Sequence, residues 1–200
     1  MSLKTSYRFI APIYDVILER STGRARQRSL ARLPQHGSLQ VLVNGAGTGL
    51  DFPFLTPCHE YTALDLTSAM LKRSIDRGSD LKITRVQGDG MSLPFANESF
   101  DVVVLHLILA VVPRPDLCLA ETARVLKPGG RIFVCEKFLQ RGQQAWLRRS
   151  LNIFIKHIAT RLDVVFEEVL EATPGLCVLS DEPALANGWF RLIEIQKDIA

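Results

Sequence analysis

A short apolar segment runs directly into a turn that has glycine at every second position. The segment is Leu39–Asn44, and the glycines are Gly45, Gly47 and Gly49. Glycine adopts positive φ at little cost and has no Cβ, so a turn built this way lets the backbone approach a bound ligand closely. A dinucleotide fingerprint needs its third glycine where this chain has Leu50. The turn therefore favours a nucleotide-like ligand without a pyrophosphate and argues against NAD or FAD.

Strand-like and helix-like segments alternate along the chain after this turn. The predicted parallel strands are residues 39–44, 60–65, 82–87, 100–105 and 131–136. Such alternation predicts an α/β fold with a Rossmann-like, doubly wound sheet and helices on both faces. Two closing strands, about 176–182 and 189–196, are expected to form an antiparallel edge on this seven-stranded, mostly parallel sheet.

Capping and turn residues predict helices between these strands. One begins near Leu50 and is broken early by Pro53. Another is capped by Thr67 and closes at Gly78, and a later one is capped by Asp116. That later helix is expected to turn three side chains to the core: Leu117, Leu119 and Ala120.

Composition supports one folded domain and argues against several classes of protein. The 200 residues suit a single domain, and 47% hydrophobic against 22% charged residues allow a full core. The net charge of +3 is too small to indicate a nucleic-acid partner. The four cysteines show no metal-ligand spacing, so we expect no metal site and reduced thiols in a cytoplasmic protein. No signal peptide is recognised, and the longest apolar run, Val102–Val112, is too short to span a bilayer.

Two segments outside the alternating region are basic. Arginines that recur every four residues share one face of a predicted helix: Arg20, Arg24, Arg28 and Arg32. This face is either solvated or in contact with anionic lipid or an anionic headgroup. A second predicted helix, 143–162, is more apolar than one buried face requires. It either packs as core or lid, or lies on a membrane and admits a lipid substrate.

Acidic residues follow the second and third predicted strands. Asp65 ends the second strand, and Asp89 comes directly after the third. Open α/β sheets bind ligands at the carboxyl ends of their strands, so both carboxylates are expected beside the glycine turn. Asp65 is placed to accept hydrogen bonds from ribose hydroxyls, and Asp89 from an adenine amino group. Each acid alone is a common cap or turn residue, whereas together they indicate a nucleoside ligand.

Several segments together resemble the class I S-adenosylmethionine-dependent methyltransferases. They are residues 41–50, 61–67, 88–95 with 99–103, and 124–131. The resemblance implies a methyltransferase with S-adenosylmethionine as cofactor. It divides a single domain into an N-terminal helical lid (1–37), a cofactor-binding core (38–137) and a closing helix with strands (138–200).

The same resemblance implies which residues contact the cofactor. The turn would hold the methionine end, Asp65 the ribose with Leu66 against the adenine, and Asp89 the adenine amine. The residues so assigned are Asn44, Gly45, Ala46, Gly47, Gly49, Asp65, Leu66, Asp89, Gly90, Met91 and His106. One position departs from the family, because Val43 stands where relatives usually have an acid that helps to hold the cofactor's amino group. Asn44 or a residue of the N-terminal helix is expected to replace that contact.

The flanks resemble the branch of this superfamily that methylates quinones and phospholipids. Residues 7–15 are similar to its opening, where a tyrosine-bearing helix covers the cofactor. Tyr7 and Tyr14 are therefore candidate lid and catalytic residues, with ordinary helix packing as the alternative. Phe138 and the closing residues 188–194 look like bacterial phospholipid N-methyltransferases of the peripheral type. They imply a phosphatidylethanolamine-like acceptor and contact with anionic membrane at the cytoplasmic face.

The acceptor is expected at the end of the fourth strand, where His106 lies. This histidine is either a proton acceptor for the substrate or a hydrogen-bonded core residue. Two other functions stay open beside phospholipid methylation. One is methylation of a soluble small molecule such as a quinone precursor or phenol, and the other is S-adenosylmethionine binding without catalysis.

Overall fold

The computed structural model describes residues 22–139, 164–185 and 189–199. All the residues assigned to the cofactor lie within these ranges. The lid helices predicted before residue 22, with Tyr7 and Tyr14, lie outside the described residues, and so does the predicted helix 143–162.

Seven strands form one sheet in the described part of the chain. They are β1 (Gln40–Asn44), β2 (Glu60–Asp65), β3 (Lys82–Gln87), β4 (Phe100–His106), β5 (Leu126–Lys137), β6 (Leu176–Leu185) and β7 (Phe190–Lys197). Their order across the sheet is β3-β2-β1-β4-β5-β7-β6. Strands β1 to β5 pair in parallel, while β7 runs antiparallel to both β5 and β6. The predicted Rossmann-like, mostly parallel sheet with antiparallel closing strands is confirmed, and β6 forms its outer edge.

The direction in which strands are added to the sheet reverses between β3 and β4. Strands β2 and β3 lie on one side of β1, and β4 and β5 on the other. The carboxyl ends of β1 and β4 therefore flank the crevice at which open α/β sheets bind ligands. Because the glycine turn follows β1 and His106 ends β4, the topology brings both to this crevice.

Short helices connect the strands. The described α-helical segments are α1 (22–30), α2 (Ser68–Arg73), α3 (Pro115–Val125) and α4 (Phe166–Glu171). The α-helix predicted from Leu50 is wrong, since only a 3₁₀ turn forms there, at Phe52–Phe54. The chain is extended again at Leu55, and the α conformation is disfavoured at Thr56 because this residue directly precedes Pro57.

Two capping predictions also need correction. Thr67 takes the N-cap position of α2 without a capping bond, because its hydroxyl donates to Asp65 Oδ1 at 3.1 Å instead. Helix α3 begins after Arg114 rather than at Asp116, which lies in the first turn and pairs with Arg114.

The buried face of α3 differs from the predicted one. Its inward side chains are spaced three or four apart along the helix: Pro115, Cys118, Leu119, Thr122 and Val125. Leu117 and Ala120 fall between these positions and are exposed, so only Leu119 faces the core as predicted.

Apolar side chains cover both faces of the sheet. Alternate residues of β1 point to opposite sides, so that Val41 and Val43 join a cluster with Leu30 of helix α1, whereas Leu42 joins the cluster under α3. The predicted arrangement of helices on both faces is present in the described residues. None of the described helices has the length and apolar character needed to cross a bilayer.

The arginine face of α1 meets acids of the closing strands. Arg28 pairs with Glu182 at 3.1 Å. Arg32 pairs with Glu182 at 2.9 Å and with Glu194 at 3.7 Å. Arg24 is exposed. Two of the four arginines therefore form ion pairs within the chain. This is a third possibility, besides the solvated face and the lipid contact predicted from the sequence.

Candidate functional site

Side chains pack against the first and last glycines of the glycine turn, whereas the middle glycine has free space beside it. The three glycines all have positive φ, of +78° at Gly45, +56° at Gly47 and +80° at Gly49. A Cβ at Gly45 would lie 2.7 Å from the Ile108 side chain, and one at Gly49 would lie 2.8 Å from Phe52. A Cβ at Gly47 would meet nothing within 4 Å. The space over Gly47 is therefore the part of the turn that a ligand can occupy.

Asp65 is joined to this open part of the turn. The backbone N–H of Gly47 donates to Asp65 Oδ2 at 2.9 Å. The other oxygen, Oδ1, accepts from the backbone N–H of Thr67 at 2.9 Å. Oδ1 also accepts from the Thr67 hydroxyl, so the remaining acceptor position is the second lone pair of Oδ2, which can accept from a ribose hydroxyl. The neighbouring Leu66 is 47% exposed, as its assignment against the adenine requires.

The segment Asp89–Met91 lies against the end of β1. Asp89 Oδ1 accepts from the backbone N–H of Met91 at 2.8 Å, which holds this segment in a tight turn. Asn44 donates from Nδ2 to the Gly90 carbonyl at 3.4 Å, and its side chain is fully buried. The structure thus places Asn44 as a bridge between the glycine turn and the segment assigned to the adenine.

Two buried polar atoms at the turn lack partners within the described part of the chain. They are Asn44 Oδ1 and Thr48 Oγ1. Buried polar groups are usually hydrogen-bonded, so each orphan atom indicates a partner that binds there. Together with the open space over Gly47 and the remaining lone pair of Asp65 Oδ2, they fit S-adenosylmethionine, which brings amino, carboxylate and hydroxyl groups. The residues that would hold it are those of the turn, Asp65 with Leu66, and Asp89–Met91.

His106 lies at the end of β4 with both ring nitrogens occupied. Its Nδ1 is 2.6 Å from Asp51 Oδ1, and its Nε2 is 3.0 Å from Ser29 Oγ. Because a carboxylate only accepts, Nδ1 donates to Asp51, while Nε2 shares a hydrogen bond with the serine hydroxyl. The side chain is fully buried. This is the geometry of the hydrogen-bonded core residue that the sequence left open, and a catalytic role for His106 stays a prediction.

The same carboxylate forms a buried ion pair with helix α1. Arg26 Nη1 lies 2.7 Å from Asp51 Oδ1, and both side chains are almost fully buried. Burial alone would raise the pKa of Asp51, but the nearby Arg26 and the hydrogen bond from His106 lower it well below its ordinary value. Neither Arg26 nor Asp51 was among the predicted site residues. A signal was available, since Arg26 lies off the four-residue spacing of the other arginines and Asp51 follows the turn closely.

A second buried acid lies at the end of β5. Glu136 accepts from the backbone N–H groups of Ala110 at 3.1 Å and Lys137 at 2.9 Å, and has no ion-pair partner among residues 22–139, 164–185 and 189–199. Burial raises the pKa of Glu136 to about 7. Leu107, in the loop after β4, has φ +59° and donates its N–H to Cys135 O at 3.0 Å. The loop after β4 is therefore tied to the end of β5 by two hydrogen bonds.

The chain matches known proteins in sequence and in fold. A methyltransferase domain matches residues 42–134. A phosphatidylethanolamine N-methyltransferase of Cereibacter sphaeroides is 30% identical over 190 residues, which cover 92% of this chain and 93% of that protein. A demethylmenaquinone methyltransferase of Parafrankia sp. (strain EAN1pec) is 30% identical over 217 residues, with 92% and 84% covered. The crystal structure of a putative methyltransferase from Bacillus halodurans C-125 has the same fold, with a TM-score of 0.71, 19% identity and 87% of this chain and 98% of that chain covered.

The sequence relatives match this chain over most of its length, and the matched domain includes the turn, Asp65 and Asp89. The chain therefore belongs to the class I S-adenosylmethionine-dependent methyltransferases, and S-adenosylmethionine is its cofactor.

Proposed function

We propose that this enzyme methylates the amine of a phosphatidylethanolamine-like headgroup. One observation carries the proposal: the match to a phosphatidylethanolamine N-methyltransferase extends over 92% of this chain and 93% of that protein. The match therefore includes the flanks, which choose the acceptor, as well as the cofactor-binding core that all relatives share.

The described residues support this chemistry by fixing position. S-adenosylmethionine, when bound, supplies an electrophilic methyl group on a positively charged sulfur. Its transfer is an in-line displacement, for which an enzyme mainly contributes proximity and the exclusion of water. Ile108, in the loop after β4, packs against the glycine turn. In the same loop, the backbone N–H of Ala110 donates a hydrogen bond to Glu136. This loop thus joins the glycine turn to the end of β5, on the side of the crevice where we place the acceptor.

A second candidate is the methylation of a quinone precursor. The demethylmenaquinone methyltransferase of Parafrankia sp. has the same 30% identity and matches 92% of this chain. Its own length is covered less fully, at 84%. We therefore place it second.

Membrane contact belongs to the phospholipid proposal. Arg28 and Arg32 are already paired with acids of β6 and β7. In the described part of α1, contact with anionic lipid would therefore rest mainly on Arg24, which is exposed.

A competition assay tests the acceptor. The protein is incubated with methyl-labelled S-adenosylmethionine, phosphatidylethanolamine vesicles and a detergent-dispersed demethylated quinol in one tube. Vesicles of phosphatidylcholine, whose nitrogen is already fully methylated, replace the first lipid as matched control. We expect label in N-methylated lipid and none in the control. Label that enters the quinol alone would overturn the phospholipid proposal in favour of the second candidate.

A further inference from the structure

Helix α1 holds the exit of the glycine turn through a buried ion pair. Asp51 lies two residues after Gly49 and takes the N-cap position of the 3₁₀ turn Phe52–Phe54. Its Oδ1 is 2.7 Å from Nη1 of Arg26, and the two side chains are 3% and 6% exposed. A helix that precedes the whole sheet in sequence is thus bonded to the segment that leaves the cofactor turn.

The ion pair is part of a network that joins three segments of the chain. Arg26 also donates from Nε to Thr22 Oγ1 at 3.0 Å, one helical turn earlier in α1. Asp51 Oδ1 also accepts from His106 at the end of β4, and His106 bonds Ser29 of α1. The ring of His106 is therefore held between helix α1 and the turn exit. Moving any one of the three segments breaks at least one buried hydrogen bond.

Neither of the two side chains at the end of β1 makes a polar contact with α1 that could replace the ion pair. Val43 packs in the apolar cluster on the α1 side of the sheet and offers no polar atom. Asn44 points to the opposite face, where its amide meets Gly90 and Cys118. Among the described residues, Asp51 thus joins the turn exit to α1, while Arg77 separately donates to the Thr48 carbonyl at 2.7 Å.

We propose that Arg26 and Asp51 are positioning residues for the cofactor. The ion pair fixes the exit of the turn, so affinity for S-adenosylmethionine depends on the docking of helix α1. Removal of Arg26 leaves Asp51 buried without its compensating charge, and the turn must move or admit water to relieve it. This inference concerns cofactor binding alone and is independent of which acceptor is methylated.

Calorimetric titration with S-adenosylhomocysteine tests the inference without turnover. For Arg26→Met we expect cofactor affinity about tenfold weaker, as is typical of coupling between neighbouring sites. Arg26→Lys keeps the charge but not the paired geometry, so it should bind S-adenosylhomocysteine more tightly than Arg26→Met but less tightly than the unchanged protein. If Arg26→Met does not fold, Arg26→Lys takes its place in the test. In a double-mutant cycle, Asp51→Asn combined with Arg26→Met should lose less affinity than the product of the two single losses.

Two variants of the same helix separate this role from general stability. Leu30→Ala removes a buried apolar side chain of α1 that takes no part in the hydrogen bonds of this polar network. It should lower the melting temperature while leaving the dissociation constant within about twofold, since the polar network is intact. Arg24→Met removes an exposed arginine and should change neither. The inference is overturned if Arg26→Met and Arg26→Lys bind the ligand like the unchanged protein, or if Leu30→Ala weakens binding as much as Arg26→Met.

Discussion

Asp65 Oδ2 accepts a 2.9 Å hydrogen bond from the backbone N–H of Gly47, the one glycine of the turn with open space over it. The carboxylate thus fixes the ligand-facing part of the turn while Oδ2 remains able to accept one hydrogen bond from a ribose hydroxyl.

Asp65→Asn should therefore weaken cofactor binding with little change in fold. Every described donor at this side chain is an N–H or O–H group, and the amide nitrogen of asparagine cannot accept from them. A hydrogen bond to a charged group contributes about 1.5–3 kcal/mol, so the dissociation constant should rise about tenfold or more. Calorimetry measures it, with the exposed Asp76→Asn as control. Equal affinity of the two variants would remove Asp65 from the site.

Gly90→Ala should destabilise the segment assigned to the adenine. The added Cβ would lie 2.6 Å from Asn44 Oδ1 and 3.0 Å from Ile108, so the neighbours must shift. Overpacking of this kind costs about 1–3 kcal/mol, measurable by urea unfolding. Gly23→Ala is the matched control, because its Cβ meets nothing within 4 Å and the residue is helical. It should stabilise by about 0.5 kcal/mol.

The double variant Asn44→Ala with Gly90→Ala checks the cause. It should be less destabilised than the two single losses combined, since the clash partner is absent. If the double variant loses as much stability as the two single variants together, Asn44 is not the residue that the added Cβ at Gly90 meets.

Glu136 should make the enzyme less stable as the pH rises from about 4.5 to 7. Burial raises the pKa of Glu136 to about 7 from an ordinary 4.5, so between these values the folded state binds more protons than the unfolded state. The free energy of unfolding must then fall with increasing pH across that window and become level above it. A shift of this size corresponds to about 3 kcal/mol.

Urea unfolding at pH 5 and pH 8 measures this slope in the unchanged protein and in Glu136→Gln. The variant loses the titrating group, so its stability should fall less between the two pH values. The substitution also loses a hydrogen bond to Ala110 or Lys137, which changes the unfolding free energy at every pH. The change of that free energy with pH is therefore the quantity to compare. The exposed Glu168→Gln should keep the slope of the unchanged protein. If Glu136→Gln keeps it too, Glu136 does not titrate as described.

Vesicle binding follows from the phospholipid proposal. The protein should sediment with vesicles that contain phosphatidylethanolamine and anionic lipid, and added salt should release it because salt screens exposed charges. Arg24→Gln should weaken retention more than Arg28→Gln, since Glu182 already offsets the charge of Arg28. Vesicles of any composition that fail to retain the protein would remove membrane contact from the account.

Most strands of the cofactor-binding part could be predicted from the sequence, because each follows from the apolar and turn residues of a short segment. The runs 60–65 and 82–87 are strands with the predicted bounds. The alternating glycines and strand-ending acids placed Asp65 beside Gly47 correctly, since the carboxyl ends of parallel strands must meet at one edge. Strand β5 begins at Leu126 rather than at residue 131, because Lys127–Gly130 continue the strand past a register shift instead of forming only a turn.

Contacts between distant segments were not visible in the sequence. Arg26 and Asp51 are 25 residues apart, and only the docking of α1 brings them together. The same packing turns His106 inward to Asp51 and Ser29, whereas its position at a strand end left both a catalytic and a core role open. The positive φ of Leu107 had no signal either, because it is imposed by the bonds of this loop to β5 rather than by its own residue type.

Hydrogen exchange with and without S-adenosylhomocysteine tests the central claim most directly, because it locates the cofactor on the chain. The account predicts that added protection is concentrated at the turn 45–49, at Asp65–Thr67 and at Asp89–Met91, with edge strand β6 unchanged. Protection that appears elsewhere while the amides of the turn exchange as before would contradict it.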